Sequence, residues 1–299
     1  MRQIRKRVLA CTLTMAMMFC LFPVMTQAAT RNMTMYVGET VLVYPGKPIA
    51  KISNTNGKVV QVKREEPDHI YATLVAAKTG KSKVTMKTGS GTAKINVTVK
   101  KADISIKVLA DDSSDSYVYL AVSNKTSKFF EQALIEYTIK DTEGVILKKD
   151  TTRVFNLPAK TVTPMQLYLD VEDAKSVRLS DISAKVVGLQ NDARNRYVDA
   201  SSKIKVNIKN KFEKSKEITG TLCWNNTSNQ AVSLSYYAMV YDSKNRLIAM
   251  TSPTYMMLKA GQSNVSDSYS SLQIPKPKGY HHYKLVKSAY YVKFAPKWI

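Results

Sequence analysis

Two aspartates, Asp141 and Asp242, stand 101 residues apart, closing the segments "YTIKD" and "AMVYD". A repeated carboxylate at a strand end could be half of an acid/base pair. Such chemistry needs a second group of tuned pKa across a cleft, and neither segment supplies one. The residues that follow point instead to turns in which the carboxylate accepts backbone N–H groups. The acidic run Asp111–Asp115 lacks the alternating acids, central glycine and closing glutamate of a calcium loop. Glu65–His69 ("EEPDH") reads as a solvated loop. His281 and His282 are adjacent, so on a strand they leave opposite faces and cannot share a metal ion. No metal site and no cofactor are expected. With three histidines and no G-x-S-x-G, P-loop, H-E-x-x-H or paired C-x-x-C pattern, the chain reads as a non-enzyme.

Binding chemistry is better represented. From Lys276 onward the chain interleaves Lys276, Lys278, Lys284, Lys287, Lys293 and Lys297 with Tyr280, Tyr283, Tyr290, Tyr291, Phe294 and Trp298. Cations among aromatics can grip anionic sugar polymers, nucleic acid or a membrane surface. The same alternation also describes a half-buried strand, aromatics inward and lysines outward. The ligand-contact candidates are Lys276, Lys278, Tyr283, Lys284, Lys287, Lys293 and Lys297, joined by Trp224 if it is exposed. For Trp224 two patterns conflict. The alternation Ile218, Gly220, Leu222, Trp224 turns the indole inward, whereas pairing residue n with n+101 sets it against Ser123 and turns it outward. A one-residue slip reverses a strand's face, so only one can hold unless a bulge intervenes, and the inward, buried placement is preferred.

The elements that must carry these residues are short strands. In residues 31–100, runs rich in Val, Ile, Thr and Tyr are broken at Gly38-Glu39, Asn56-Gly57, Gly80 and Gly89-Ser90-Gly91, with no helical periodicity. Beyond residue 101 the n+101 pairing sets Asn124 and Thr126 against Asn225 and Thr227, Leu157 against Leu258 and Tyr168 against Tyr269. A single offset over some forty-five positions indicates a duplicated domain, too long for a solenoid repeat.

Upstream, four basic residues precede an apolar run from Val8 to Leu21, then Pro23 and the small-residue exit Thr26-Gln27-Ala28. That order reads as a secretory signal cut after Ala28. Cys11 and Cys20 leave with it, so Cys223 has no partner for an internal disulfide. The remaining charge is uneven. Residues 29–101 hold 13 basic and 4 acidic side chains, residues 102–200 hold 13 and 15, and residues 201–299 hold 15 and 4. Two basic ends around a near-neutral middle suggest an anionic partner.

Two resemblances follow from these segments. "YVGETVLV", "ISNTNGKVVQV", "LVAAKTGKSKVTM" and "AKINVTV" resemble bacterial Ig-like domains of the Big2 type, which implies a spacer or adhesion module. The strand running into Asp141, with Tyr137 and Ile139, and that running into Asp242, with Ala238, Val240 and Tyr241, resemble the FxLYD-type Ig-like extracellular domains. Each copy carries a different half of that signature: Lys140 stands where Tyr is expected in the first, and Ala238 where Phe is expected in the second. The expectation is an all-β chain of three tandem Ig-like β-sandwich domains after a signal peptide: 1–28 signal, 29–101 Big2-like, 102–200 and 201–299 FxLYD-like. The expected role is a secreted, envelope-associated protein that binds an anionic cell-wall polymer or membrane surface through its basic outer domains. Other surface proteins are possible partners, and nucleic acid enters only as extracellular DNA. Two alternatives are an assembly component recruiting proteins through sheet edges and, less favoured, a glycan-acting enzyme.

Overall fold

Alternation of inward apolar and outward polar residues builds the first unit. The computed structural model describes residues 29–110, 117–171, 177–193, 195–266 and 270–294. The leader, the acidic run Asp111–Asp115, Lys297 and Trp298 lie outside them. β1 (Ala29–Tyr36), β7 (Gly91–Lys100), β6 (Gly80–Thr88) and β3 (Ile49–Asn54) form one sheet in that order. β2 (Glu39–Val43), β5 (Ala72–Ala76) and β4 (Val60–Arg64) form the facing layer. Met35, Val41, Leu74, Val84, Met86, Ile95 and Val97 close the core between them. Parallel β1–β7 pairing beside antiparallel β7–β6–β3 is the strand order of an immunoglobulin-type sandwich. Gly80 takes φ +144°, and a side chain there would meet Val59 Cγ2 at 2.9 Å, so the first position of β6 requires glycine.

Two further units share a plan with each other. In the second, β12 (Thr161–Tyr168), β9 (Tyr117–Asn124) and β8 (Ile104–Ala110) face β11 (Ile146–Leu157), β10 (Phe130–Lys140) and β13 (Ile182–Asp192). After β14 (Asn195–Asp199) comes the third, in which β15 (Ile204–Glu213), β16 (Glu217–Asn226) and β20 (Ser271–Pro275) form one layer. β17 (Val232–Tyr241), β18 (Leu247–Met250), β19 (Thr254–Leu258) and β21 (His282–Phe294) form the other. The protein is therefore all-β, a tandem of two-layer sandwiches.

The duplication is visible in register. Tyr137 pairs Ala184 on β10–β13, and Ala238 pairs Leu285 on β17–β21, each partner 101 residues on. In the preceding layer the offset is 102. Asn124 donates to the carbonyls of Lys128, Leu157 and Pro158 and accepts from Thr126 N and Oγ1. Asn226, not Asn225, makes the matching set with Gln230, Leu258, Lys259 and Ser228. One extra residue in β10 restores the offset: Phe130 and Ala133, three apart, are both buried, where Val232 and Leu234 are two apart. The gap-free pairing of Asn124 with Asn225, and of Ser123 with Trp224, is thereby corrected. Val122 is the counterpart of Trp224, and both face their cores.

The units are not beads on a string. Leu109, Tyr119 and Ala121, on the outer face of β8–β9, pack against Tyr237, Met239 and Met250 of β17–β18. Both faces of β9 and β17 are thus covered, which is why their residues are buried almost continuously rather than alternately. β13 pairs in parallel with β2, joining the first and second units in one six-stranded sheet. β14 pairs with β21, so residues 195–199 belong to a sheet of the third unit.

Candidate functional site: a basic cleft at the junction of three units

Side chains from all three units line a cleft of about 630 Å³. The short connection from Ser127 to Phe129 positions it. The buried Asn124 amide ties down this turn, and successive residues of an extended segment point opposite ways. Lys128 reaches the first unit and Phe129 the third.

Lys128 Nζ donates to Glu39 Oε1 at 2.5 Å and to Thr34 O at 3.2 Å. Glu39 is completely buried; its other oxygen accepts from Tyr36 N at 2.9 Å, and Asn191 Nδ2 donates to Oε1 at 3.0 Å. A buried carboxylate is tolerable only when paired and hydrogen-bonded, and here every partner is supplied. Phe129 stacks on Tyr197 at 4.0 Å and 11°, with Tyr290 completing the cluster at 4.9 and 5.5 Å. Burial, then a hydrogen bond to Glu131, pushes the Tyr197 phenol above its ordinary range, so it stays a neutral donor. Asn195 Nδ2 holds the same Glu131 at 2.9 Å.

On this frame stand the exposed cations. Arg196 on β14 lies directly opposite Lys293 on β21. Like charges in register repel, and neither has an acidic partner among the described residues. Arg31 of β1 adds a further cation to the lining, against the single carboxylate of Asp192; Phe294, 58% exposed, supplies an aromatic edge. An anion seated between Arg196 and Lys293 would relieve their repulsion, with the Tyr291 ring on the same face of β21, 5.9 Å from the Lys293 ammonium.

Of the ligand-contact candidates named from sequence, only Lys293 is among the described residues that line this cleft, with its neighbour Phe294. Lys276 pairs with Glu213 at 3.0 Å, holding that carboxyl below its usual range, and lies 5.2 Å from the Tyr280 ring. Lys278 is exposed on a turn. β21 sends Lys284 to one face and Tyr283, Lys287 and Lys293 to the other. Tyr283 packs against the third core with Lys211 5.5 Å from its ring. Lys287 is half-buried and donates to Ile204 O, and desolvation lowers its pKa. Trp224 is fully buried against Tyr236 and offers no surface to a ligand, a correction of its conditional place among the contacts. Asp141 and Asp242 behave as turn acceptors. Each takes two backbone N–H bonds at 2.8–2.9 Å, with Gly144 and Asn245 in the left-handed region. Among the described residues no group of three metal-ligating side chains comes together. Arg31, Phe129 and Arg196 were not found from sequence. The run Asn195-Arg196-Tyr197 was the one available hint.

No family model matches the chain, and no curated protein is similar to it. Among solved structures, the ectodomain of the teleost fish polymeric Ig receptor is 10% identical with a TM-score of 0.20, over 55% of this chain and 96% of that one. The I9–I11 tandem of titin is 10% identical with a TM-score of 0.18, over 88% of this chain and 95% of that one. At such scores these likenesses carry no weight, and the sandwich assignment rests on the strand order itself.

Proposed function

We propose that this is an exported, non-enzymatic envelope protein that binds an anionic polymer in the cleft where its Big2-like and two FxLYD-like units meet. The observation that carries this reading is the unneutralised pair Arg196–Lys293, held in register with the Lys293 ammonium 5.9 Å from the Tyr291 ring. The overall excess of 45 basic over 23 acidic residues draws polyanions to the surface, and the cleft gives them a place to settle. The test is retention on isolated cell wall as salt is raised. Replacing Arg196→Glu and Lys293→Glu together should weaken retention at least tenfold and flatten the salt dependence by about 1.5 log units per log unit of salt. Lys284→Glu, on the other face of β21, should change little. Retention indifferent to about 0.5 M salt, or to the double reversal, would sink the proposal.

A further inference from the structure

The second and third units each end their last sheet one strand short. In the third, the place beside β21 is filled from outside, by β14, which pairs antiparallel from Asn195–Phe294 to Asp199–Tyr290. In the second, the matching stretch of β13 receives β2 of the first unit, from Leu189–Glu39 to Asp192–Leu42. The same edge has thus been built twice to accept a strand from elsewhere. Only its C-terminal half is taken: from Ile182 to Val186, β13 has among the described residues a ladder partner on one side alone, β10.

The two units treat this open half differently. In the third, Lys287, paired with Tyr236, sends its ammonium across the gap to Ile204 O and closes it. The residue in the same register of the second unit is Val186, paired with Ile135, and it has no such reach. A slot of about 450 Å³ remains between β8 and β13, lined by Ile104, Ile106, Ala184 and Val186. The nearby Lys185 is spent on Glu136 at 2.8 Å, so the slot makes no demand for charge. The bulge at Val187, where register shifts between Leu134 and Ile135, separates this open stretch from the part that holds β2.

We infer that β13 accepts, along Ile182–Val186 and in line with β2, an extended segment of another protein that carries small apolar side chains at alternate positions. Ile182 N–H is already given to Leu179 O. The outward backbone groups of residues 183–186, without a strand partner on that side among the described residues, supply affinity, and the slot selects every second side chain. The site is independent of the polyanion cleft, so binding is insensitive to salt.

The probe is a blocked peptide with alternating valine and threonine between terminal lysines, titrated into the full chain with amide hydrogen exchange as readout. Saturable binding in roughly the high-micromolar range is expected, with exchange across residues 182–186 slowed at least tenfold. Val186→Lys copies the closure already tolerated in the third unit. It should keep the thermal midpoint and weaken the peptide at least tenfold. No saturation up to about 1 mM, protection elsewhere than 182–186, or binding unchanged by Val186→Lys would overturn the inference. So would concentration-dependent dimerisation abolished by Val186→Lys, because the occupant would then be a second copy.

Discussion

Glu39 and Lys128 show how much can hang on one pair of side chains. Their contact crosses from the first unit to the second, with the carboxylate fully buried. Removing one partner strands the other charge, so Glu39→Ala should cost about 3 kcal/mol in thermal or urea unfolding. Glu39→Leu combined with Lys128→Met should cost less than either change alone, because no lone charge remains. Tyr237 is the opposite case. Its hydroxyl is buried with no hydrogen-bond partner among the described residues, and burial raises its pKa. Tyr237→Phe should therefore be neutral, or stabilising by up to about 1 kcal/mol, in the same assay. Glu39 could be singled out from sequence within Val-Gly-Glu-Thr, but not its partner, because 89 residues separate them.

At the scale of elements, the hairpin turns were legible because their chemistry is local. An aspartate, a residue tolerant of positive φ and a run of strand formers all lie within a few positions. The Asp242 turn makes the point testable. Backbone N–H donation from Arg246, together with its guanidinium, holds the Asp242 carboxyl below its usual range. A folded-state pKa below the unfolded one adds stability at pH above the ordinary carboxylate value, and that stability is lost as pH falls through the folded value. Asp242→Asn should thus lower stability at neutral pH and flatten the acid limb of the stability profile below about pH 4. The face presented by Trp224 was less legible. A single additional residue in β10, next to the Asn124 turn, changes the correspondence between copies from 102 to 101. No local pattern marks where the extra residue sits.

At the scale of the molecule, the second and third units are held broadside by Leu109, Tyr119, Tyr237, Met239 and Met250. Met239→Lys would place a charge in that face. It should lower the thermal midpoint and enlarge the radius of gyration in small-angle scattering, while the far-ultraviolet spectrum keeps its β signature. Because the cleft draws on strands of all three units, the same variant should also weaken retention on cell wall. The all-β class, the turns and the uneven charge could be read from the amino-acid order alone, since each is written in residues a few positions apart or in composition, and the duplication could be read from one constant offset. Packing in three dimensions alone brought Arg31, Arg196 and Lys293 to the lining of one cleft, buried Trp224 and lent strands between units. Those outcomes depend on how separate strands pack and pair, where burial and register, not local propensity, select the arrangement.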